Sequence, residues 1–419
     1  MQDKIEKTRR DIKRSRKKIN AGTQNRRFIS LFLSLSLSVS FVFSVVLMCL
    51  CVFLVKTSFA IPPVPQTSHV PLPDAIPIYL PHPVAAITSL AYSPDGTRLA
   101  LGTYGQVIVY DANTWEPISV TRQVEDTVRS LAFSPDGQTL AIGCGLPGLD
   151  GLPLTWDMNT ASRPVAYPKQ KDTIEAVAFR RDGKGLLCGA NDNKVRYFSA
   201  LPALTGPVLD EHNGRVQAVA FSPKPDYIFI TGGLDRIVKV WDQKTAHTVV
   251  NFDQSEGGVT GLVFINESQF VGSSLDGRLY WWGVGYDQKK QTYSGYHFRT
   301  VGAHDGGVLS LAISGDGKRL ITCGADRAIA IWNTDGGKIR EFKDLAKPMY
   351  AVALSPNGKT AVAAGGEGIL YVWDVDGNKL INNILPPELP KPASGASSSV
   401  ASIHTNPAKN TTQRLIQRK

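Results

Sequence analysis

The turn Ser-Pro-Asp-Gly, or a close variant of it, recurs seven times in phase, beginning at Ser93, Ser134, Arg180, Ser222, Ile265, Ser314 and Ser355. The mean step is about 44 residues, the length of a four-stranded repeat unit. A short apolar strand precedes each turn. A second strand follows it, then a Gly/Asp turn, then a third strand ending in an aromatic residue. A unit this small cannot bury its apolar face alone, so the repeats must stack on one another. The prior that 419 residues form two or three domains yields to one array of about 300 residues.

The first strands obey a strict rule. Two positions after the opening apolar residue stand Ser89, Ser130, Ala176, Ala218, Gly261, Ser310 and Ala351, all small. The intervening positions are bulky, from Leu90 and Tyr92 in the first repeat to Val352 and Leu354 in the last. Alternation with period 2 puts the small residues on one face of the strand and the bulky ones on the other. Such a strand is apolar on both faces and must lie between two neighbours. Bulky side chains of one sheet fill the space left by small ones on the next. Small residues are needed where sheets crowd towards a common axis. The expectation is an all-β, seven-bladed β-propeller.

The third strands end in Tyr110, Trp156, Phe198, Trp241, Trp282, Trp332 and Trp373, with Asp or Asn next at Asp111, Asp157, Asp242, Asn333 and Asp374. With these residues the chain resembles the WD-repeat family of β-propellers from about residue 75 to residue 385. The resemblance implies a structural hydrogen-bond network of His, Ser/Thr, Asp and Trp within a blade. Two complete sets occur, His212, Thr231, Asp235 and Trp241, and His304, Thr322, Asp326 and Trp332. Both repeat one position of the fold, which favours a structural reading over a catalytic one. Three blades depart from the pattern. The first has Tyr104 where the turn Asp would fall. The second carries the insertion 145–151 and has Pro153 in its aromatic strand, which is expected to be bent or short. The third ends Phe198-Ser199. The outer strand of the last blade is open to two candidates, Ala75–Leu80 and Leu380–Leu385.

The net charge of +10 sits at the two ends. Residues 1–27 carry eleven Lys/Arg against three Asp/Glu, and the tail 386–419 carries five against one, leaving about −2 between them. A near-neutral array has no general attraction for nucleic acid. Residues 28–55 are uncharged and mostly apolar. As a helix they would be about 42 Å long, more than the ~30 Å hydrocarbon core. The organisation expected is therefore a basic cytoplasmic tail (1–27), a transmembrane signal-anchor or long signal peptide (28–55), a Pro-rich linker (56–73), the propeller (74–385) and a disordered tail (386–419). The excess of cations before the apolar run places the N-terminus in the cytoplasm and the propeller periplasmic or extracellular. Cleavage after Ala60 would instead secrete it.

No phosphate-cradling loop, paired metal ligands or nucleophile elbow is present, so no catalytic residue, metal or cofactor is assigned. Cys144, Cys188 and Cys323 fall in second strands of different blades and suggest neither a disulfide framework nor a zinc site. The position after each opening apolar residue reads Thr88, Arg129, Glu175, Gln217, Thr260, Leu309 and Tyr350. By analogy with the family these residues ring one mouth. Packing demands one residue type in every blade, whereas a binding site does not, so Arg129, Glu175, Gln217 and Tyr350 are the candidate partner contacts. The stretch Gly283–Thr300, rich in Tyr and Lys, is a second candidate, or an extended hairpin packed on its own blade. The reading is a non-enzymatic scaffold for a protein or peptide partner. A propeller-based hydrolase, lyase or cofactor-dependent dehydrogenase is the alternative, and it would need titratable groups converging at a mouth.

Overall fold

The computed structural model describes residues 85–387, apart from 125, 161, 200–204, 225–226 and 344. The expected tail, membrane segment and linker before the propeller, the strand candidate Ala75–Leu80, and the tail from 388 onward lie outside the described residues. Among those described there is no helix, and hence none long and apolar enough to cross a membrane.

Twenty-eight strands form seven four-stranded antiparallel sheets, each contiguous in the chain and ordered as in the sequence. Blade 1 spans Ser89–Thr121, blade 2 Val128–Ala166, blade 3 Ile174–Leu209, blade 4 Val216–Phe252, blade 5 Val259–Gly302, blade 6 Val308–Phe342 and blade 7 Met349–Ile384. The outer strand of blade 7 is Lys379–Ile384, paired with Leu370–Asp374. Of the two candidates for that place, the C-terminal one fills it.

Seven apolar clusters lie between successive blades. In one, Ala176 and Leu187 of blade 3 meet Val219, Phe229 and Trp241 of blade 4. The small face of one first strand thus receives the bulky face of the next. The same arrangement joins Ala353, Val362 and Val372 of blade 7 to Leu99, Leu101 and Tyr110 of blade 1, which closes the ring. Five of the seven third-strand aromatics, Tyr110, Trp156, Trp241, Trp282 and Trp332, are at most 1% exposed. Removing one such ring would cost about 3–5 kcal/mol in lost burial and a new cavity.

The turns are built alike. In Ser93-Pro94-Asp95-Gly96 the Gly96 amide donates to the Ser93 carbonyl, and Asp95 accepts from Ser93 Oγ and the Thr97 amide. Gly96 takes φ +74°, which a side chain would disfavour.

The third strand of blade 2 is neither bent nor short, contrary to expectation. It runs Asp150–Asp157 in continuous register with Thr139–Leu146, and Pro153 sits opposite Gly143. The Pro153 carbonyl accepts from Tyr167 on the outer side. In an antiparallel strand the N–H and C=O of a residue point the same way. The donor that proline lacks would therefore have faced the outer strand, which is only Val165–Ala166, and the inner ladder loses nothing. The insertion 145–151 lengthens this hairpin, and the Gly148 amide donates to Asp172 Oδ1 of the loop entering blade 3.

In blade 5 the strands Arg278–Asp287 and Thr292–Gly302 form the longest hairpin of the ring. Its extension does not pack on its own blade alone. Tyr293 Oη donates to Asp242 Oδ2 of blade 4, and Gly295 approaches Val250 and Phe252 so closely that a Cβ there would clash.

Candidate functional site

The two networks are geometrically alike. Trp241 Nε1 donates to Thr231 Oγ1 (2.8 Å), which pairs with His212 Nε2 (2.7 Å), while His212 Nδ1 meets Asp235 Oδ2 (2.8 Å). The corresponding distances in blade 6 are 3.0 Å for Trp332–Thr322, 2.8 Å for Thr322–His304 and 3.0 Å for His304–Asp326. The hydroxyl accepts from the indole and gives its own proton to Nε2. The tautomer that satisfies every member of the row carries Nδ1–H towards the carboxylate. Burial holds His304 below its ordinary pKa, against the pull of Asp326. Burial also opposes ionisation of Asp326, but His304 and the amides of Asp305 and Ala328 outweigh it and lower the carboxyl. Both histidine side chains are at most 1% exposed. Neither can reach a substrate, so these groups pin turns.

Three blades without the histidine hold the turn carboxylate differently. Arg196 donates to both oxygens of Asp192, Tyr280 Oη to Asp276 (2.6 Å) and Tyr371 Oη to Glu367 (2.7 Å). Each donor stands two residues before the third-strand aromatic. That spacing was available in the sequence and is a further structural signal.

Thr88, Arg129, Glu175, Gln217, Thr260, Leu309 and Tyr350 all line one cavity of about 520 Å³ at a mouth of the ring. Their shared orientation has a backbone cause. In blades 2 to 7 the pairing of first and second strands slips by one residue at this position, leaving Arg129, Glu175, Gln217, Thr260, Leu309 and Tyr350 opposite no partner. Each is the extra residue of a β-bulge, a device that re-aims a side chain out of the ladder.

The ring is lopsided. Thr88 and Thr260 spend their hydroxyls on the carbonyls of Val128 and Val308 in the next blade. Leu309 and Tyr350 are uncharged, and Tyr350 is 45% exposed. Blades 2 to 4 bring Arg129, Glu175 and Gln217. Asn191 Nδ2 donates to Glu175 Oε1 at 3.0 Å. Burial pushes the Glu175 carboxyl up, against the charge of Arg129 and the Asn191 hydrogen bond. Arg129 Nε and Asn191 Oδ1 are buried without a hydrogen-bond partner among the described residues. Polar capacity thus remains around a desolvated carboxylate.

The rim of this mouth carries large apolar side chains. Tyr104 of blade 1 is 54% exposed, Leu149 at the tip of the blade 2 insertion 72%, and Leu275 in the corresponding turn of blade 5 44%. The residues by which blades 1 and 2 depart from the repeat are therefore apolar and exposed on one face. Among the described residues no cluster of His, Cys, Asp and Glu could hold a metal ion. Cys144, Cys188 and Cys323 are buried and are not joined to one another by disulfides.

The family description WD domain, G-beta repeat matches residues 76–111, 115–157, 206–242, 295–333 and 338–374. The chain is a WD-repeat β-propeller. The unmatched stretches hold most of blade 3, whose third strand ends Phe198-Ser199, and of blade 5, whose Trp282 is followed by the long hairpin. The WD-repeat array is similar to Protein FIZZY-RELATED 1 of Arabidopsis thaliana, 30% identical over 159 residues, covering 36% of this chain and 31% of the relative. It is 28% identical to the WD repeat-containing protein slp1 of Schizosaccharomyces pombe over 165 residues, 38% of this chain and 32% of that one. Cell division cycle 20.1 of A. thaliana, described as a cofactor of the APC complex, is 26% identical over 265 residues, 60% of this chain and 54% of the relative. The chain spans between about a third and about a half of the length of these relatives.

Proposed function

We propose that this WD-repeat propeller is a non-enzymatic interaction module that takes a protein or peptide partner at the mouth formed by Arg129, Glu175, Gln217 and Tyr350. One observation carries the reading. Six first strands bulge at a single position and aim their most variable residue into one cavity, while every neighbouring position stays uniform. The apolar rim of Tyr104, Leu149 and Leu275 adds the surface an interface core requires. One relative's description as a cofactor of a complex supports an adaptor role. Residues 28–55 would tether the module to a membrane with the propeller on the outer side, or release it after Ala60.

The test is affinity capture with the full chain. Arg129→Ala and Tyr350→Ala should weaken capture of the partner by about thirtyfold each, the loss of one contact of hot-spot size, with Tm within a few degrees of the parent. Early melting or normal capture would reject the mouth. Protease protection of intact cells reports the topology separately.

A further inference from the structure

The opposite mouth opens into a second cavity. Its funnel, about 850 Å³, is lined by the last residues of the first strands, among them Tyr92, Phe133, Phe179, Phe221 and Phe264, all half-buried. The turns that follow these strands form its rim. The second turn position is uncharged in six blades, as Pro94, Pro135, Pro223, Asn266, Gly315 and Pro356. Blade 3 alone puts a cation there, Arg181, which is exposed and is, among the described residues, the one ionised group lining the funnel.

The fold does not need it. The turn Arg180-Arg181-Asp182-Gly183 closes with the same bond as the proline-bearing turns, Gly183 N to Arg180 O at 2.9 Å, and Gly183 takes the same positive φ. Proline is favoured at this position of such a turn. Arg180 is neutralised by Asp182, whereas Arg181 has no hydrogen-bond or ion-pair partner among the described residues. Nearby charges are engaged. Asp95, Asp136 and Asp316 accept from Ser93, Ser134 and Ser314 inside their own turns, and Lys224 lies over the Tyr227 ring.

We infer that this funnel docks a peptide segment of a protein partner in which a bulky apolar side chain is followed closely by a carboxylate. The aromatic wall takes the side chain, and Arg181 pairs with the carboxylate. The funnel is open rather than enclosed and is ringed by polar turns, which suits a side chain presented from a backbone outside. The site lies on the face away from Arg129 and Tyr350, so a chain using both mouths joins two partners.

The test is selection of peptides from a random dodecapeptide display library on the purified full-length chain. Selected peptides are then measured by fluorescence anisotropy on three proteins. Peptides for this funnel should carry Asp or Glu beside an aromatic or aliphatic residue. Arg181→Pro restores the turn residue of four other blades and should fold normally. It should weaken these peptides about fivefold, the upper range for an exposed ion pair, and added salt should do the same to the parent complex. Replacing the peptide carboxylate by its amide should cost as much on the parent protein and nothing further on Arg181→Pro. Arg129→Ala should leave these peptides unaffected, which separates this site from the other mouth. Failure to select such peptides, or equal binding to Arg181→Pro, would overturn the inference. Displacement of the peptide by micromolar decanoate would assign the funnel to a fatty acid and overturn it equally.

Discussion

Replacing Thr322 by valine tests what the hydrogen-bond networks contribute. The change is nearly isosteric and exchanges one hydroxyl for a methyl at a site with no exposed surface. Thr322 Oγ1 is the common partner of Trp332 Nε1 (3.0 Å) and His304 Nε2 (2.8 Å). Valine leaves a buried donor and a buried acceptor unpaired. Each orphaned group costs about 1–3 kcal/mol, so the loss should be roughly 2–6 kcal/mol. For a propeller of this size that corresponds to a fall in Tm of roughly 4–12 °C. Serine keeps the hydroxyl and sheds one methyl, which costs about 1 kcal/mol. Urea unfolding followed by tryptophan fluorescence and far-ultraviolet circular dichroism measures both variants. The reasoning requires valine to be clearly worse than serine. If valine falls within about 0.5 kcal/mol of the parent, the polar row does not stabilise the blade, and its recurrence needs another explanation.

Two further outcomes follow from the titrating groups. Glu175→Gln removes a carboxyl whose folded pKa is raised by burial, so ionisation at neutral pH works against folding. Tm at pH 7 should rise or hold while partner capture falls; a drop in Tm would reject the buried-charge reading. Acidification should act on blade 6 in two stages. His304 has a lowered folded pKa, so its contribution is complete above the ordinary histidine value of about 6.5 and declines as pH falls below it. Asp326 is also lowered, so its contribution is lost only as pH falls through its folded value, below the ordinary aspartate value of about 3.9. Melting curves between these two values should show the parent losing stability on acidification and His304→Gln losing less.

The propeller was legible because seven strands repeat one pattern of small and bulky faces. Ala176 against Val219 and Ala353 against blade 1 realise the stacking that this pattern requires. The position of the mouth residues was legible too, as variation amid uniformity, but its cause was not. A β-bulge at Arg129 or Tyr350 leaves no mark in residue type, since any side chain can occupy it. Pro153 misled because the sequence does not tell which way its missing donor would point. The blade 5 hairpin was legible as a hairpin, but its contact with blade 4 was not, because Tyr293 finds its partner, Asp242, fifty-one positions away.

The buried polar groups of this ring fall into two kinds, and the difference separates architecture from use. The hydroxyls of Thr231 and Thr322 sit in closed rows where each neighbour has its partner, so they add rigidity with little desolvation loss. Glu175 sits in a cavity beside an unpartnered Arg129 Nε and Asn191 Oδ1, and its charge is disfavoured by burial. The Glu175 side chain answers to no repeat, because a bulge residue pairs with nothing across the sheet. Thr88 and Thr260 show that a hydroxyl at the same position can be satisfied from the next blade's carbonyl. A neutral, self-satisfied residue was therefore open to blade 3, and a carboxylate stands there instead. Groups held at a cost to stability, where the fold offers a cheaper choice, point to contact with something outside the chain.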